Sequence, residues 1–120
     1  MNEPINLARK LELFEDRFAP RIVATMNDYK IAVVKVEGEF VWHSHPETDD
    51  LFLVLEGELE IELRDRSVRL RAGDLFVVPR GVEHRPRADK EAHVLLIEPQ
   101  GTSNTGDAVN NELTAPERRI

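Results

Sequence analysis

Two of the four histidines, His43 and His45, are separated by a single residue, Ser44. If this segment is a β-strand, alternate side chains project from the same face, so both imidazoles point to one place and Ser44 points away. Neutral imidazole is a common ligand of divalent transition metals. The spacing therefore indicates a metal site to which His43 and His45 both contribute.

A carboxylate and a third histidine stand at positions that complete such a site. Asp50 precedes the apolar run at residues 51–55, and we expect its side chain to face the same side as Phe52. His84 follows a turn that contains Gly81. Three imidazoles and one carboxylate form an N/O ligand set that suits Fe, Mn, Ni or Zn and leaves coordination positions for water or substrate. A divalent transition metal is therefore the predicted cofactor.

Neighbouring residues offer alternatives to this ligand set. Asp49 is a second candidate for the carboxylate ligand in place of Asp50, although a solvated side chain is the ordinary role of such a residue. A Ser-His-Asp triad of Ser44, His45 and Asp50 is excluded because adjacent strand residues point to opposite faces. His93 lies outside the pattern, and we interpret it as structural.

Two phenylalanines and two arginines are candidates for a substrate pocket beside the metal. Phe52 and Phe76 occupy strand positions from which they would line the pocket, and Arg85 and Arg87 flank His84 and would hold an anionic substrate. The alternative for the phenylalanines is ordinary core packing. The alternative for the arginines is a solvent-exposed strand face.

Together these residues resemble the two sequence motifs of the cupin superfamily. The first motif orders a glycine, His-x-His, an acidic residue and a second glycine, which correspond here to Gly38, His43, His45, Asp50 and Gly57. The second motif orders a glycine, Pro-x-Gly and a histidine, which correspond to Gly73, Pro79, Gly81 and His84. The spacings agree over residues 38–84, apart from one residue fewer between the first glycine and His-x-His.

Further stretches are similar to a group of small bacterial single-domain cupins that is labelled by similarity to mannose-6-phosphate isomerase. They are Ile22-Val23-Ala24, Asn27-Asp28-Tyr29, Gly38-Glu39-Phe40-Val41-Trp42-His43, His93-Val94-Leu95-Leu96-Ile97-Glu98-Pro99 and Asn104-Thr105-Gly106-Asp107. Two positions depart from the family pattern, because Asp50 stands where the family has the longer glutamate and Ala88 stands where it has asparagine.

The resemblance implies an all-β cupin fold, a double-stranded β-helix or jelly-roll barrel, with His43, His45, Asp50 and His84 as metal ligands. It also implies a metal-dependent enzyme that acts on a small metabolite, of the dioxygenase, decarboxylase or isomerase type. A non-catalytic module that binds a metal or a metabolite is the alternative, since no general base is evident beside the ligands. Sugar-phosphate isomerisation ranks below oxidative chemistry because few basic residues lie near His84.

The pattern of the chain supplies the strands that must hold these residues. Short apolar or β-branched runs separated by turn residues lie at residues 21–25, 29–37, 40–45, 51–55, 58–63, 68–70, 75–78 and 94–97. Residues 58–63 alternate glutamate with Leu or Ile, the pattern of a strand with one buried and one solvated face. Short segments at this spacing predict an antiparallel sandwich or small barrel over residues 21–100.

The two ends of the chain differ from this strand-rich region. Apolar residues at helical spacing predict one short helix within residues 1–20, with Asn6 as its N-cap and Pro20 as its end; they are Leu7, Leu11, Phe14 and Phe18. Residues 101–120 are polar, which predicts a surface tail that is partly disordered in the isolated chain. The alternative is a tail that is ordered by crossing onto a second subunit. This alternative, together with the cupin resemblance, leads us to expect a homodimer.

The composition limits the classes of function. The 120 residues suit a single domain, and the absence of cysteine excludes disulfides and thiolate metal ligands. A net charge of −7 has the wrong sign for a protein that binds nucleic-acid phosphates. No apolar run is long enough to span a membrane, and the start of the sequence lacks the pattern of a signal peptide. We therefore expect a cytoplasmic protein whose partner is a small molecule, with neither nucleic acid nor membrane as a partner.

Overall fold

The computed structural model describes residues 3–109 and 111–120. These residues form one short helix and eight strands, namely α1 (Leu7–Leu11), β1 (Arg21–Met26), β2 (Tyr29–Glu39), β3 (Asp50–Glu56), β4 (Glu58–Leu63), β5 (Ser67–Arg71), β6 (Leu75–Val78), β7 (His84–Pro99) and β8 (Arg118–Arg119). The all-β prediction is confirmed. Every strand that we predicted from the sequence is present except the one expected at residues 40–45.

Strand β7 organises the sheet because its two halves pair with different neighbours. Residues 84–87 pair antiparallel with β4, whereas residues 93–97 pair antiparallel with β3. Along its other edge, β7 pairs with β2 over most of its length. The hydrogen-bonded order is β5-β4-β7-β2-β1-β8, and β3 joins β7 to β6. The sheet therefore folds over into two facing layers, which is the jelly-roll arrangement that the cupin resemblance implied.

The barrel interior is filled by side chains from alternate positions of the strands. The buried members from β2, β3, β4 and β7 include Val34, Val36, Phe52, Val54, Leu59, Ile61, Val94 and Leu96. Burial of a side chain of this size stabilises the fold by about 1.5–3 kcal/mol. Asp50 is the first residue of β3 and His84 is the first residue of β7, so both candidate ligands lie where a strand enters this core.

The N-terminal helix is shorter than predicted. Asn6 caps it as expected, since its side chain accepts a hydrogen bond from the Arg9 backbone N–H at 3.0 Å. The helix ends at Leu11 rather than at Pro20, because the next backbone N–H groups bond to carbonyls three residues back and tighten the last turn. Among the described residues, no helix is long and apolar enough to cross a membrane.

The apolar stripe of the predicted helix is divided between two cores. Leu11 and Phe14 are buried with Val23 and Val33, on the face of the sheet opposite the barrel interior. Phe18 instead has a φ of +60°, which turns the chain, and it packs against the interior core. The prediction that Phe18 shares one helical face with Leu11 and Phe14 is therefore wrong.

The strand expected at residues 40–45 is absent. This segment runs beside the start of β7, where His43 and His84 exchange backbone hydrogen bonds of 3.1 and 2.9 Å as an isolated bridge. The Phe40 N–H donates to Pro86 O at 2.9 Å, but proline has no N–H to return a bond. The ladder consequently does not continue, and the segment is irregular although it lies against β7.

The C-terminal tail packs on its own chain. Thr105 is fully buried, β8 pairs in parallel with β1, and the Ile120 N–H donates to Ile22 O at 3.0 Å. The expectation of a loose, partly disordered tail is therefore wrong. The reason is that the polar side chains of the tail bond to one another, as when the Thr105 hydroxyl lies 2.7 Å from that of Thr114. Exchange of the tail between subunits stays a prediction.

Candidate metal centre

The four candidate ligands converge on one buried point. His43, His45, Asp50 and His84 each offer one ligand atom, and these atoms all lie within 4.8 Å of one another. None of the four residues is more than 5% exposed. They come from three places in the chain, which are the irregular segment at residues 40–45, the start of β3 and the start of β7. The structure thus brings together all four residues that the sequence motifs pointed to.

Backbone carbonyls fix the orientation of two of the imidazoles. His43 Nδ1 lies 2.9 Å from Val41 O, and His84 Nδ1 lies 2.9 Å from Val82 O. A carbonyl oxygen only accepts hydrogen bonds, so Nδ1 of each neutral ring carries the proton and Nε2 does not. The Nε2 lone pairs of His43 and His84 are therefore available to a metal.

The Asp50 carboxylate contacts two of the imidazoles. Its Oδ2 lies 3.2 Å from His45 Nε2 and 3.4 Å from His84 Nε2, so the shorter side chain still reaches the histidines. Asp50 Oδ1 and His84 Nε2 are buried without a hydrogen-bond partner among the described residues. An unpaired buried polar atom costs about 1–3 kcal/mol. A cation between these atoms would satisfy both, so the residues fit a divalent metal.

The electrostatics of the group favour the protonation state that a cation requires. Burial, together with the neighbouring His84, lowers the pKa of His43 to about 4, so this imidazole is neutral at physiological pH. Burial alone would raise the pKa of Asp50, but the neighbouring imidazoles of His45 and His84, whose Nε2 atoms lie 3.2 and 3.4 Å from its Oδ2, outweigh burial and hold that pKa well below its ordinary value. A neutral imidazole beside an ionised carboxylate is the state that binds metal.

A largely apolar cavity of about 50 Å³ adjoins the ligands. One of the four predicted pocket residues, Phe52, lies in its wall. The lining residues are Phe18, Pro20, Val34, Val36, Phe40, His43, His45, Asp50, Phe52, Leu59, Pro86, Val94, Leu96, Glu98 and Asn104. The rings of Phe18 and Phe40 stack at 5.0 Å, and the edge of one ring meets the face of the other between Phe40 and His43. A molecule that reaches the ligands through this cavity meets apolar and aromatic surface.

The other predicted pocket residues lie elsewhere. Arg85 donates to both carboxylate oxygens of Glu62 at 3.1 Å, and Arg87 pairs with Glu60 at 3.3 Å. These pairs lie on the outer face of β7, away from the cavity, and the expectation that the two arginines hold an anionic substrate stays a prediction. Phe76 is partly buried against the barrel core and is not among the residues that line the cavity.

The remaining polar candidates have structural contacts. Asp49 is half exposed and accepts a backbone hydrogen bond at 2.9 Å, away from the group of four ligands. His93 lies between Glu56 at 3.0 Å and Glu91 at 2.7 Å. Ala88, which replaces the asparagine of the family motif, is 3% exposed and belongs to the apolar core.

Sequence reasoning missed a buried carboxyl beside the ligands. Glu98 is 4% exposed and lines the cavity, and the pairing of Leu51 with Ile97 brings it next to Asp50. Burial and the Asp50 carboxylate raise the pKa of Glu98 to about 8, so this carboxyl holds a proton at neutral pH. Strand alternation carried the signal, because Glu98 follows Leu96 by two residues and shares its inward face.

A buried lysine lies behind this carboxyl. Lys30 is 5% exposed, and its Nζ lies 3.6 Å from Glu98, 2.7 Å from Glu117 and 2.8 Å from Thr102 O. The shorter contacts identify Glu117 and Thr102 of the tail as the main partners of the ammonium group. Lys30 therefore offsets only part of the rise in the pKa of Glu98.

Comparison with known proteins assigns the chain to a family. The family model Cupin_2, described as a cupin domain, matches residues 30–98, which include all four candidate ligands. The chain is a cupin. The resemblance that the two motifs indicated is therefore confirmed.

Relatives of this cupin span most of its length. It is 32% identical over 111 residues to the uncharacterized protein YdbB of Bacillus subtilis, which covers 83% of this chain and 98% of that protein. A crystal structure of a cupin-2 domain containing protein from Shewanella frigidimarina matches with a TM-score of 0.79 and 50% identity, over 80% of this chain and 94% of that one.

One enzyme is similar over part of the chain. The 3-hydroxyanthranilate 3,4-dioxygenase of Brucella anthropi is 32% identical over 75 residues, which is 57% of this cupin and 41% of that enzyme. This cupin therefore spans less than half of the dioxygenase.

Proposed function

We propose that this cupin is a metal-dependent enzyme that acts on a small metabolite, with dioxygenase-like chemistry as the class that its site fits best. The observation that carries the proposal is a group of four buried ligands with two unpaired polar atoms beside an apolar cavity. Imidazole and carboxylate ligands with open coordination positions suit non-haem iron. The similarity to a dioxygenase over 75 residues supports the same class.

The chain supplies a proton-carrying group as well as ligands. When bound, the metal would supply Lewis-acid or redox chemistry toward an oxygen atom of the substrate or toward O2. His43, His45, Asp50 and His84 would hold it, and the apolar walls exclude water from the cavity. Glu98 lines the same cavity and holds a proton at neutral pH, so it is placed to give that proton to a bound substrate and to take one back.

The lining of the cavity limits the class of substrate. No lysine or arginine is among the described residues that line it, and Arg85 and Arg87 are paired on the outer face. A phosphorylated sugar would bring two negative charges to a site without a cation other than the metal, which counts against isomerisation of such a sugar. We propose a small substrate with an apolar body and an oxygen that can bind the metal.

A non-catalytic binding module is the second candidate, and the size of the cavity favours it. A cavity of about 150 Å³ holds benzene in a known engineered case, whereas the cavity here measures about 50 Å³. A ring-shaped substrate can enter only if the walls move, while a metal ion with a few waters fits as the site stands. The two candidates are separated by turnover.

Oxygen uptake tests the proposal directly. The protein is loaded anaerobically with Fe²⁺ and mixed with 3-hydroxyanthranilate or catechol, and O2 consumption is followed with an electrode. We expect substrate-dependent uptake that is lost in His84→Ala and reduced in Glu98→Gln while the latter keeps its iron. Tight iron binding with no uptake on either compound would overturn the dioxygenase-like proposal and favour the binding module.

Location and assembly are proposals too. For location we propose the cytoplasm. The homodimer keeps the support of the cupin resemblance and loses that of the tail, which packs on its own chain, and the outer face of β6 adds a further argument. There Leu75 and Val77 are 54% and 40% exposed, which is an apolar surface suited to a second copy of this chain.

A further inference from the structure

The segment that carries two of the candidate ligands is held by few bonds from the barrel. Residues 43–45 belong to no strand, and among the described residues the His43 backbone pairs with the barrel through the isolated bridge with His84 alone. His45 O accepts a hydrogen bond from the Gly81 N–H at 3.0 Å. Every hydrogen bond that Ser44 makes to a described residue goes instead to the C-terminal tail.

Asp107 of the tail binds Ser44 with three hydrogen bonds. Its Oδ1 accepts from the Ser44 backbone N–H at 2.8 Å, and its Oδ2 accepts from the Ser44 hydroxyl at 3.0 Å. The Asp107 N–H donates to Ser44 O at 3.0 Å. Asp107 therefore holds both the N–H and the C=O of Ser44, the residue between His43 and His45.

Gly106 lets the tail approach this segment closely. A Cβ at this position would lie within van der Waals overlap of Ser44 O and 3.0 Å from Cδ2 of the His43 ring. Only glycine allows two backbones and an imidazole to pack at this separation. The tail is consequently in direct contact with one candidate ligand as well as with the residue between the two.

The tail is itself anchored at this place. Asn104 donates to Phe18 O at 3.0 Å and to Leu113 O at 2.9 Å, and its Oδ1 accepts from the Ala115 N–H at 2.9 Å. Thr105 is fully buried. Residues 104–107, which we name the tail strap, are thus tied to the body of the protein and are able to hold the two-histidine segment in place.

We propose that the tail strap positions the metal ligands His43 and His45, so that the affinity of the site for metal depends on contacts made by Gly106 and Asp107. In a regular strand the sheet ladder would set the direction of the two imidazoles, but here the ladder is interrupted at Pro86 and the strap replaces it. The inference rests on the proposed metal site and is independent of the reaction catalysed there.

Two alanine variants at glycine positions test the close approach. Gly106 and Gly101 both have positive φ, at +53° and +88°, so alanine strains the backbone at each position. A Cβ at Gly101 meets nothing within 4 Å, whereas at Gly106 it collides with Ser44. We expect Gly106→Ala to weaken Co²⁺ binding by about 10- to 100-fold, as is typical for residues that orient metal ligands. Gly101→Ala should bind Co²⁺ as the wild type does.

Two variants at Asp107 test the hydrogen bonds and keep the test valid if Gly106→Ala does not fold. Asp107→Ala removes both side-chain acceptors from Ser44 and is expected to weaken Co²⁺ binding within the same range. Asp107→Asn keeps an acceptor for the Ser44 N–H, and we expect it to restore most of the affinity. If only the negative charge of Asp107 mattered, Asp107→Asn would bind Co²⁺ as weakly as Asp107→Ala.

The readouts are calorimetric titration with Co²⁺ and the visible absorption spectrum of the Co²⁺ protein, which reports coordination geometry. A weaker affinity and an altered spectrum in folded Gly106→Ala or Asp107→Ala support the proposal. Wild-type affinity and spectrum in both folded variants, with only a lower Tm of the metal-free protein, would overturn it. Absence of oxygen uptake contradicts the proposed reaction alone, whereas a wild type that binds no Co²⁺ contradicts both.

Discussion

The two faces of β7 use polar residues in opposite ways. On the outer face, Arg85 meets the Glu62 carboxylate at 3.1 Å and Arg87 meets Glu60 at 3.3 Å, with part of each side chain in solvent. On the inner face, His84 is fully buried, and its Nε2 has no hydrogen-bond partner among the described residues. Arg85 and His84 are adjacent in one strand, yet the surface residue has partners for its charge, whereas Nε2 of the buried residue has none among the described residues.

The difference indicates where a ligand belongs. Partly exposed ion pairs contribute about 0–1 kcal/mol and need nothing further. A buried polar atom without a partner costs about 1–3 kcal/mol, so its presence in a stable fold points to a group that completes it. The charged residues of the outer face are conspicuous in the sequence, yet the group that could hold a metal lies on the inner face.

Substitution of His84, on the inner face of β7, should give the largest loss of metal affinity. We expect His84→Ala to weaken metal binding by more than about 100-fold, because even residues that only support metal ligands cost about 10- to 100-fold. His43→Ala and His45→Ala should behave in the same way. The measurement is calorimetric titration with Co²⁺, with circular dichroism to verify that the barrel is folded.

The matched control is the neighbouring outer-face residue. Arg85→Ala should keep the wild-type metal affinity and lower the free energy of unfolding by less than about 1 kcal/mol. His93→Ala, whose ring contacts two glutamates, should also leave metal binding unchanged. If His84→Ala bound Co²⁺ as tightly as the wild type, the assignment of the inner face would be wrong.

The inner face also makes the stability of the metal-free protein depend on pH. Because the pKa of His43 is lowered from 6.5 to about 4, the unfolded chain binds a proton that the folded chain excludes as the pH falls through this window. Stability is therefore lost toward acid, by on the order of 3 kcal/mol for this group. Glu98 acts in the opposite direction, since its pKa is raised from 4.5 to about 8 and stability is lost as the pH rises through that window.

Urea unfolding in EDTA between pH 4 and pH 9 measures both effects. The free energy of unfolding should be nearly constant between pH 4.5 and 6.5, where the two contributions offset each other, and should fall as the pH rises from 6.5 to 8. Glu98→Gln should remove this alkaline decline and leave a loss from pH 6.5 toward pH 4, whereas His43→Gln should let stability rise as the pH falls from 6.5 to 4.5. Arg85→Ala should leave the shape of the profile unchanged. A wild-type profile without a decline above pH 6.5 would contradict the burial of Glu98, and a Glu98→Gln profile without an acid decline would contradict the burial of His43.

The outer face of β6 extends the comparison to an exposed apolar surface. We expect light scattering to give the mass of a dimer at micromolar concentration, and Leu75→Glu with Val77→Glu to give a monomer. Leu13→Glu is the control, because Leu13 is 65% exposed and does not belong to β6, and we expect it to leave the mass unchanged. A wild-type monomer at this concentration would exclude the homodimer.

The smallest change in the free energy of unfolding is expected for an ion pair whose two side chains are both largely exposed. Arg71 and Glu58 form an ion pair at 3.3 Å with side chains that are 73% and 53% exposed. Arg71→Ala should change the free energy of unfolding by no more than about 0.5 kcal/mol and should leave Co²⁺ affinity as it is. A larger loss in urea unfolding would show that the charged face contributes more to the fold than solvent screening allows.

Strands with one solvated face could be predicted from the sequence because their alternation is visible. The glutamates of β4 alternate with Leu59 and Ile61, and the structure buries those two apolar residues at 1% and 0% exposure. The start of β7 could not be predicted, since Pro86 and the charged residues around it are typical of a loop. In the barrel Pro86 turns inward, and its missing N–H interrupts the pairing of residues 40–45.

The part of the site that depends on distant contacts was beyond the sequence pattern. The cupin motifs pointed to the four ligands, which the fold brings together. Glu98 was missed because a charged residue at the end of an apolar run was not considered as an inward one, and the tail was missed because hydrogen bonds rather than apolar side chains hold it. Polar segments such as the one around Asn104 fold only through partners far along the chain, as with Phe18.

Elemental analysis of the protein purified from its own host without chelator tests whether His43, His45, Asp50 and His84 hold a metal. We expect about one equivalent of a divalent transition metal per chain in the wild type and in Arg85→Ala, with none retained in His84→Ala. Iron or manganese would agree with the proposed oxygen chemistry, and zinc or nickel alone would shift the function toward binding or isomerisation. A wild-type protein that carries no metal and fails to bind added Co²⁺ would show that these four residues are not metal ligands.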